Sequence, residues 1–487
     1  MSSRWLVSVL TYKQSGLKPA ARYVLARFVQ LHGVWDWTPL GVSEFAKAIG
    51  ISDTQLGRGL NALVDGGVLW RRSLSEGVGR PPSEYCIAPD VLDQLENCEV
   101  DERWLKCIDR LLRHETYAGR QSVGQKKEAA DAVPALSADS SRLSFSNRLL
   151  FAVLLCHADK FGVVESTGRS ALGQQVGLSK ADLRYRTQVL LDNGVLRSYV
   201  PGAPGTGLFE KVPSRYVLNL NHPDLAAAVT PLLVTIVDPH LDDAADSVLQ
   251  PPQGDGDWRG LGEPIRRLFA SPHMQAQRAM LRSKLDGYAQ VLLTAHWENI
   301  ERGCLHLRRA LRQELRVTDL GEVRRDGLEA RRSRFALSHY LVNWAACIAS
   351  SIQRPLKGRV AGVHFPSMDV VLLPETKAKS PSYRTPFYCS RTFLLLPKGG
   401  MAASTIPGRG GYVIEKREGK WTETIYADPA LLSVDRQCYL GLRVPTAGVL
   451  QLAALEPTGK WHWVELPGVG SLRLPTWPCV DTRYPGK

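Results

Sequence analysis

The sequence predicts an α+β chain of several domains. Its 487 residues amount to about three domains at roughly 150 residues each. The first half contains an internal repeat, and short β-rich runs replace helical periodicity after residue 353. The expected order is two copies of a helical unit closed by a β-hairpin, a basic α-helical segment, and a C-terminal β-rich domain. A composition of 44% hydrophobic and 22% charged residues is that of an ordinary globular protein. It excludes collagen-like, mucin-like and wholly disordered chains.

Two stretches read as linkers. Residues 119–142 are small, polar and without periodicity, and residues 238–257 hold six Asp, three Pro and no Lys or Arg. Neither composition supports a packed core. The predicted units are therefore 1–118 (with a C-terminal helix), 143–237, 258–353 and 354–487.

The repeat joins Phe45–Leu69 to Leu172–Leu196 at a constant offset of 127. Ile49-Gly50-Ile51-Ser52 matches Val176-Gly177-Leu178-Ser179, Leu56 and Leu63 match Leu183 and Leu190, and Gly67-Val68-Leu69 matches Gly194-Val195-Leu196. Pro82–Ile87 then matches Pro213–Leu218 at offset 131. A register kept through core positions and broken only in a loop is the mark of duplicated structure.

Each copy opens with a helix, about Pro19–His32 and about Ser146–His157, Pro19 suiting a first turn. A short helix follows (Ser43–Ile49; Ser170–Val176), and Gly50 or Gly177 then permits a sharp turn through positive φ. Ser52-x-x-Gln55 fits a capping box and Ser179-x-x-Asp182 a looser one. The next helix buries Leu56, Leu60 and Leu63, or Leu183, Val189 and Leu190, and stops near Gly66-Gly67 or Asn193-Gly194. Two β-runs joined by a Gly/Pro loop complete each copy.

This series, carried by about residues 18–93 and 145–222, resembles the winged helix-turn-helix family of DNA-binding domains. The resemblance implies that the helix after the turn enters the major groove, where base edges are distinguishable. The implied readers are Asp53, Thr54, Gln55, Arg58 and Asn61 in the first copy. In the second they are Lys180, Ala181, Arg184, Tyr185, Arg186 and Gln188. The second head is the more cationic, so it is expected to supply more affinity. The first either reads bases weakly or serves in dimerisation. Its wing offers Arg71, Arg72 and Arg80, the last within Gly79-Arg80-Pro81, which resembles an AT-hook core. The second wing offers Lys211 and Arg215. Winged helices also serve as protein–protein modules, so that alternative stays open.

From Arg302 to Arg334 the chain holds ten Arg, five acidic residues and no Lys. Arg308, Arg312 and Arg316 share one helix face beside Leu307, Leu311 and Leu315. Phosphate contact and a solvated face with Glu314 and Glu322 are the two readings. Beyond residue 353, β-rich runs alternate with Pro/Gly turns, predicting a small sheet or barrel. Tyr383-Arg384, Phe387-Tyr388, Arg391 and Phe393 interleave aromatics with Arg, and a packed β-core accounts for them better than a base-stacking surface.

The net charge of +13 points to a polyanionic partner. No stretch approaches the roughly 18–20 apolar residues that span a bilayer, and Met1–Trp5 lacks a secretory signal. Nucleic acid therefore outranks membrane, and a cytoplasmic location is expected. The nine Cys form no C-x-x-C pair and read as buried thiols. Neither a metal site, a cofactor motif nor a nucleophile elbow is present in the sequence. Asp369 with Glu375-x-Lys377 resembles the acids and Lys of a Mg²⁺-dependent nuclease, and His306-x-x-Arg309 echoes a fragment of the tyrosine recombinase signature. The leading expectation is sequence-specific duplex DNA binding as a transcriptional regulator. The alternatives are a plasmid or integrated-element replication initiator, a structural subunit of a chromosome-handling or defence complex, and a nuclease. A homodimer or a multiprotein complex is the expected assembly.

Overall fold

The computed structural model describes residues 2–14, 16–73, 83–97, 101–113, 143–202, 213–220, 222, 225, 231–238, 272–302, 328–360, 363–373, 376–378, 388–398, 411–417, 420–426, 461–466 and 470–475. It is α+β, and the chain divides into two compact units. One comprises residues 1–197 with 216–228, the other residues 198–215 with 229–487. Among the described residues no helix is long and apolar enough to cross a membrane.

In the first unit α1 (Ser2–Thr11) leads into α2 (Pro19–His32), which is buried without interruption from Ala21 through Val29. Next come β1 (Thr38–Leu40), α3 (Val42–Ile49), α4 (Asp53–Asp65), β2 (Leu69–Ser73) and β3 (Ser83–Ile87), then α5 (Pro89–Glu96) and α6 (Leu105–Leu112). The second copy runs α7 (Phe145–Cys156), β4 (Val163–Val164), α8 (Arg169–Val176), α9 (Lys180–Asp192), β5 (Leu196–Val200) and β6 (Arg215–Leu218). The order helix, strand, helix, helix, strand, strand is thus traversed twice. The strands of the two copies also assemble alike, in the orders β1-β3-β2 and β4-β6-β5.

α7 is buried from Ser146 through Leu155. A helix that is covered all round belongs to the middle of a core, and α2 and α7 fill that place together. The Tyr23 and Phe145 rings lie 5.6 Å apart, and the Arg148 guanidinium sits 5.4 Å from the Tyr23 ring. Trp104, at the start of α6, donates through Nε1 to the carbonyls of Ala158 and Asp159 at 3.1 and 3.2 Å. Gln175 of α8 donates to the Thr11 carbonyl at 3.2 Å, so its amide oxygen faces His157 Nε2 at 2.9 Å. That imidazole nitrogen is therefore the donor of the pair.

The second unit is a mixed sheet packed on two helices. The elements are β7 (Leu232–Asp238), α10 (Pro272–Ala295), α11 (Leu328–Leu356), β8 (Met368–Leu372), β9 (Thr376–Ala378), β10 (Tyr388–Pro397), β11 (Gly411–Arg417) and β12 (Lys420–Tyr426). The sheet order is β12-β11-β7-β10-β8, with β9 also paired to β10. β11 is parallel to β7, and the other pairs are antiparallel. A separate hairpin joins β13 (Trp461–Leu466) and β14 (Gly470–Pro475). One sheet face (Leu232, Val234, Ile236, Phe393, Leu395, Tyr412, Ile414) packs on Leu285, Ala289, Leu292 and Leu293 of α10 and Ala345, Ala349 and Ile352 of α11. Within this apolar layer Arg391 and Asp286, both buried, form an ion pair of 2.9 Å.

Two predicted boundaries are corrected. Residues 232–237 were expected within the unit 143–237 and Asp238 in the linker after it, but as β7 they lie at the centre of the sheet of the second unit. Leu232 through Val237 are all buried, as a strand covered on both faces must be. The segments 258–353 and 354–487, expected as separate domains, share one core, because the apolar faces of α10 and α11 are covered by the sheet.

Breaking a buried ion pair from one side strands a charge, at a cost of about 3–5 kcal/mol. Arg391→Met is expected to lose about that much in urea unfolding of the second unit. The double variant Arg391→Met, Asp286→Leu should recover most of it. In the first unit, burial pushes the His157 imidazole below its usual pKa, against the opposing pull of its bond to Gln175. A depressed folded-state value means stability that is complete above the unfolded pKa of about 6.5 and lost as the pH falls below it. His157→Gln keeps a donor and removes the titration. Its urea midpoints should therefore change less than those of the parent between pH 7 and 5.

Candidate nucleic-acid interface

The exposed faces of α4 and α9 are built by the same local chemistry. α3 ends at Gly50 with φ 71° and α8 at Gly177 with φ 76°, left-handed positions that only glycine fills without strain. Ser52 and Ser179 then cap the next helix, accepting from the backbone N–H of Gln55 and Asp182 at 3.2 and 3.1 Å. α4 seats Leu56, Leu60 and Leu63 in the core, and α9 seats Leu183, Thr187, Leu190 and Leu191. Val189, expected in the core, is only half-buried. Gly59 has a packing reason despite its poor helix propensity. A Cβ there would stand 3.0 Å from Val24 Cγ2, so glycine lets α4 cross close to α2.

On α9 the exposed side chains Lys180, Ala181, Arg184 and Tyr185 form one strip, and the exposed Asp182 beside them accepts from the Ser179 hydroxyl at 2.7 Å. Lys180 and Arg184 are one turn apart, and Tyr185 is 67% exposed. No hydrogen bond or ion pair ties these three side chains down among the described residues. The strip begins at a helix N-terminus, where backbone N–H groups and the macrodipole favour an anion. On α4 the exposed set is Asp53, Thr54, Gln55, Arg58, Asn61 and Asp65. Asp53 and Asp65 more than offset Arg58, so this helix offers no net positive charge.

Several expected readers are engaged elsewhere. The amide oxygen of Gln55 accepts from the Ser52 N–H at 3.2 Å, completing the capping box. Arg186 turns back to the start of α7, donating to Asn147 Oδ1 at 3.0 Å and Ser144 Oγ at 3.3 Å. Gln188 donates to Asp192 Oδ1 at 2.9 Å. Arg71 donates to Ser83 Oγ at 3.2 Å. Arg72 pairs with Glu84 at 2.5 Å and lies 4.4 Å from the Trp37 ring, so it braces the hairpin of the first copy. Arg215, on β6, is half-buried and partnered. Arg80, Lys211, Arg308, Arg312, Arg316, Glu375, His306 and Arg309 lie outside the described residues, as do Tyr383 and Arg384.

Of the nuclease residues, Asp369 and Lys377 are not brought together. β8 and β9 run along the same edge of β10 instead of forming a hairpin. Asp369 pairs with Leu396 and Lys377 with Cys389. Seven residues of extended strand separate those positions, which is roughly 20–25 Å. Among the described residues no cluster of three or more His, Cys, Asp or Glu could hold a metal ion.

Sequence reasoning missed β1 and β4, which complete the two three-stranded sheets. Three residues (Thr38–Leu40) and two (Val163–Val164) are too short to display alternation. It also missed the aromatic surface of the first copy, where Trp35 is 61% and Trp70 51% exposed. No family model, curated protein or solved structure matches the chain.

The two neighbouring arginines of α9 should separate in experiment. Removing the bonds of Arg186 to Ser144 and Asn147 should cost about 1 kcal/mol. Arg186→Ala is therefore expected to lower the melting temperature, and Arg184→Ala to leave it unchanged within error.

Proposed function

We propose that the two copies are winged helix-turn-helix domains and that the chain binds duplex DNA sequence-specifically, most simply as a transcriptional regulator. The observation that carries this reading is the strip Lys180–Arg184–Tyr185. It stands exposed at the N-terminal end of a helix reached through a left-handed glycine and a capped serine. In a major groove Arg184 is suited to guanine O6 and N7. The Tyr185 ring supplies apolar contact, and Lys180 phosphate contact. The overall charge of +13 agrees with a polyanionic partner. The reading helix of the first copy offers Thr54, Arg58 and Asn61, a set that can read bases and brings little phosphate attraction.

A second reading, a structural subunit of a multiprotein complex, draws on Trp35 and Trp70, since large exposed aromatics are characteristic of protein interfaces. Co-purification of a stoichiometric partner, together with no retention on DNA, would favour it.

Selection of bound duplexes from a random pool tests the first reading directly. On the selected duplex, Arg184→Ala is expected to weaken binding by about 1–3 kcal/mol and to relax preference at one base position. Lys180→Ala should weaken all sequences alike and reduce the salt slope by about one unit. Binding that is indifferent to both changes would remove α9 from the interface.

A further inference from the structure

The reading helices α4 and α9 are joined by one short segment, the connector between α1 and α2. On one side Gln14 Nε2 donates to the Gly66 carbonyl at 2.7 Å, at the C-terminal end of α4. A Cβ at Gly66 would stand 3.6 Å from Leu17 Cδ2. On the other side the connector meets the turn that opens α9. A Cβ at Gly177 would stand 2.1 Å from the Leu17 carbonyl oxygen, 3.0 Å from Lys18 C and 3.1 Å from Pro19 N. Gly177 is therefore required twice, for its positive φ and for the space its missing side chain leaves. One residue, Leu17, touches the end of one reading helix and the entrance to the other, and it is itself buried.

The connector is in turn held from beneath. The buried guanidinium of Arg22 donates to the carbonyls of Tyr12, at 2.9 Å, and Gln14. Burial lowers the pKa of Arg22 to about 10, which leaves it charged at neutral pH. Gln175, just before the turn, donates to the Thr11 carbonyl. These bonds come from both copies, from α2 and from α8, and fix the connector against each.

We infer that Gln14 and Leu17–Pro19 act as a fixed spacer, and that the chain accepts one continuous duplex bearing two unlike half-sites at a single separation. This rests on the DNA-binding reading above and adds the geometry of the target. Two linked heads bind far more tightly than either alone only where both can engage at once, and that gain, about 10²–10⁴-fold, vanishes when the geometry forbids it. Adding two base pairs between half-sites moves one by about 7 Å and turns it by about 70°.

The test uses the full chain and the duplex recovered by selection. The expected consensus has two parts with one spacing, and a two-base-pair insertion should weaken binding at least about 100-fold, the least that loss of one head would cost. In Gln14→Ala, and in a second variant with two glycines inserted after Gly16, the half-site sequences should persist while the insertion penalty shrinks to about three-fold or less. If no duplex is recovered, the DNA-binding reading and the spacer fall together. A consensus bound equally at every spacing overturns the spacer and leaves DNA binding standing. Strict spacing that both variants keep, with unchanged circular dichroism, overturns the assignment to Gln14 and Leu17–Pro19.

Discussion

Two helices buried on every side, α2 and α7, set the geometry of everything else in the first unit. A helix with one apolar stripe can be covered by a single neighbour. One covered from Ala21 to Val29, or from Ser146 to Leu155, must be surrounded. The remaining helices of both copies can meet that demand only by closing around a common centre. The two copies are consequently layers on one core, joined by aromatic and hydrogen-bonded contacts such as Tyr23 with Phe145 and Trp104 with Ala158.

The polar groups in that core act on position more than on stability. Burying a guanidinium is costly even when it is well bonded, yet Arg22, Arg27 and Arg148 are all buried. Arg27 donates to the Ala48 carbonyl at 3.1 Å, and Tyr23 Oη donates to the Ile49 carbonyl at 3.2 Å. Both bonds reach from α2 to the last turn of α3, immediately before the left-handed Gly50. Arg22 does the same for the α1–α2 connector. For Arg22 and Arg27 the cost of desolvation is thus coupled to the placement of the connector and of the turn before α4. In each case the acceptor is a helix-terminal or connector carbonyl, a group that has no partner in its own helix.

Much of this was legible in the sequence, because the signals were local. The bounds of α2, the glycine turns and the serine caps follow from residue types that must occupy those backbone positions. What could not be read was long-range. The run Leu232–Val237 gives no sign of which sheet it joins, since a strand covered on both faces has no alternation to orient it. The functional strip was only partly visible for a related reason. Lys180, Arg184 and Arg186 look equivalent along the chain, but α9 turns about 100° per residue. Arg186 therefore faces the N-terminus of α7, while Arg184 faces solvent. Gln55 fitted both a capping box and a base contact, and the backbone N–H of Ser52, three residues back, took its amide oxygen for the cap.

The difference between the copies is consistent with this division between core and surface. Core positions match almost residue for residue, because α4 must seat leucines against α2 and α9 must do the same against α7. The exposed positions diverge, with Asp53, Arg58 and Asn61 on one helix set against Lys180, Arg184 and Tyr185 on the other. Gly59 shows how far the packing demand extends. It weakens α4 as an isolated helix by about 1 kcal/mol, yet it permits the close crossing over Val24. No such exception is needed on α9, where Ala and Arg occupy exposed turns and helix propensity is unopposed. Divergence of the two exposed faces is then permitted by the rigidity of the core, because a change of an exposed side chain on α4 or α9 leaves the buried leucines beneath it in place.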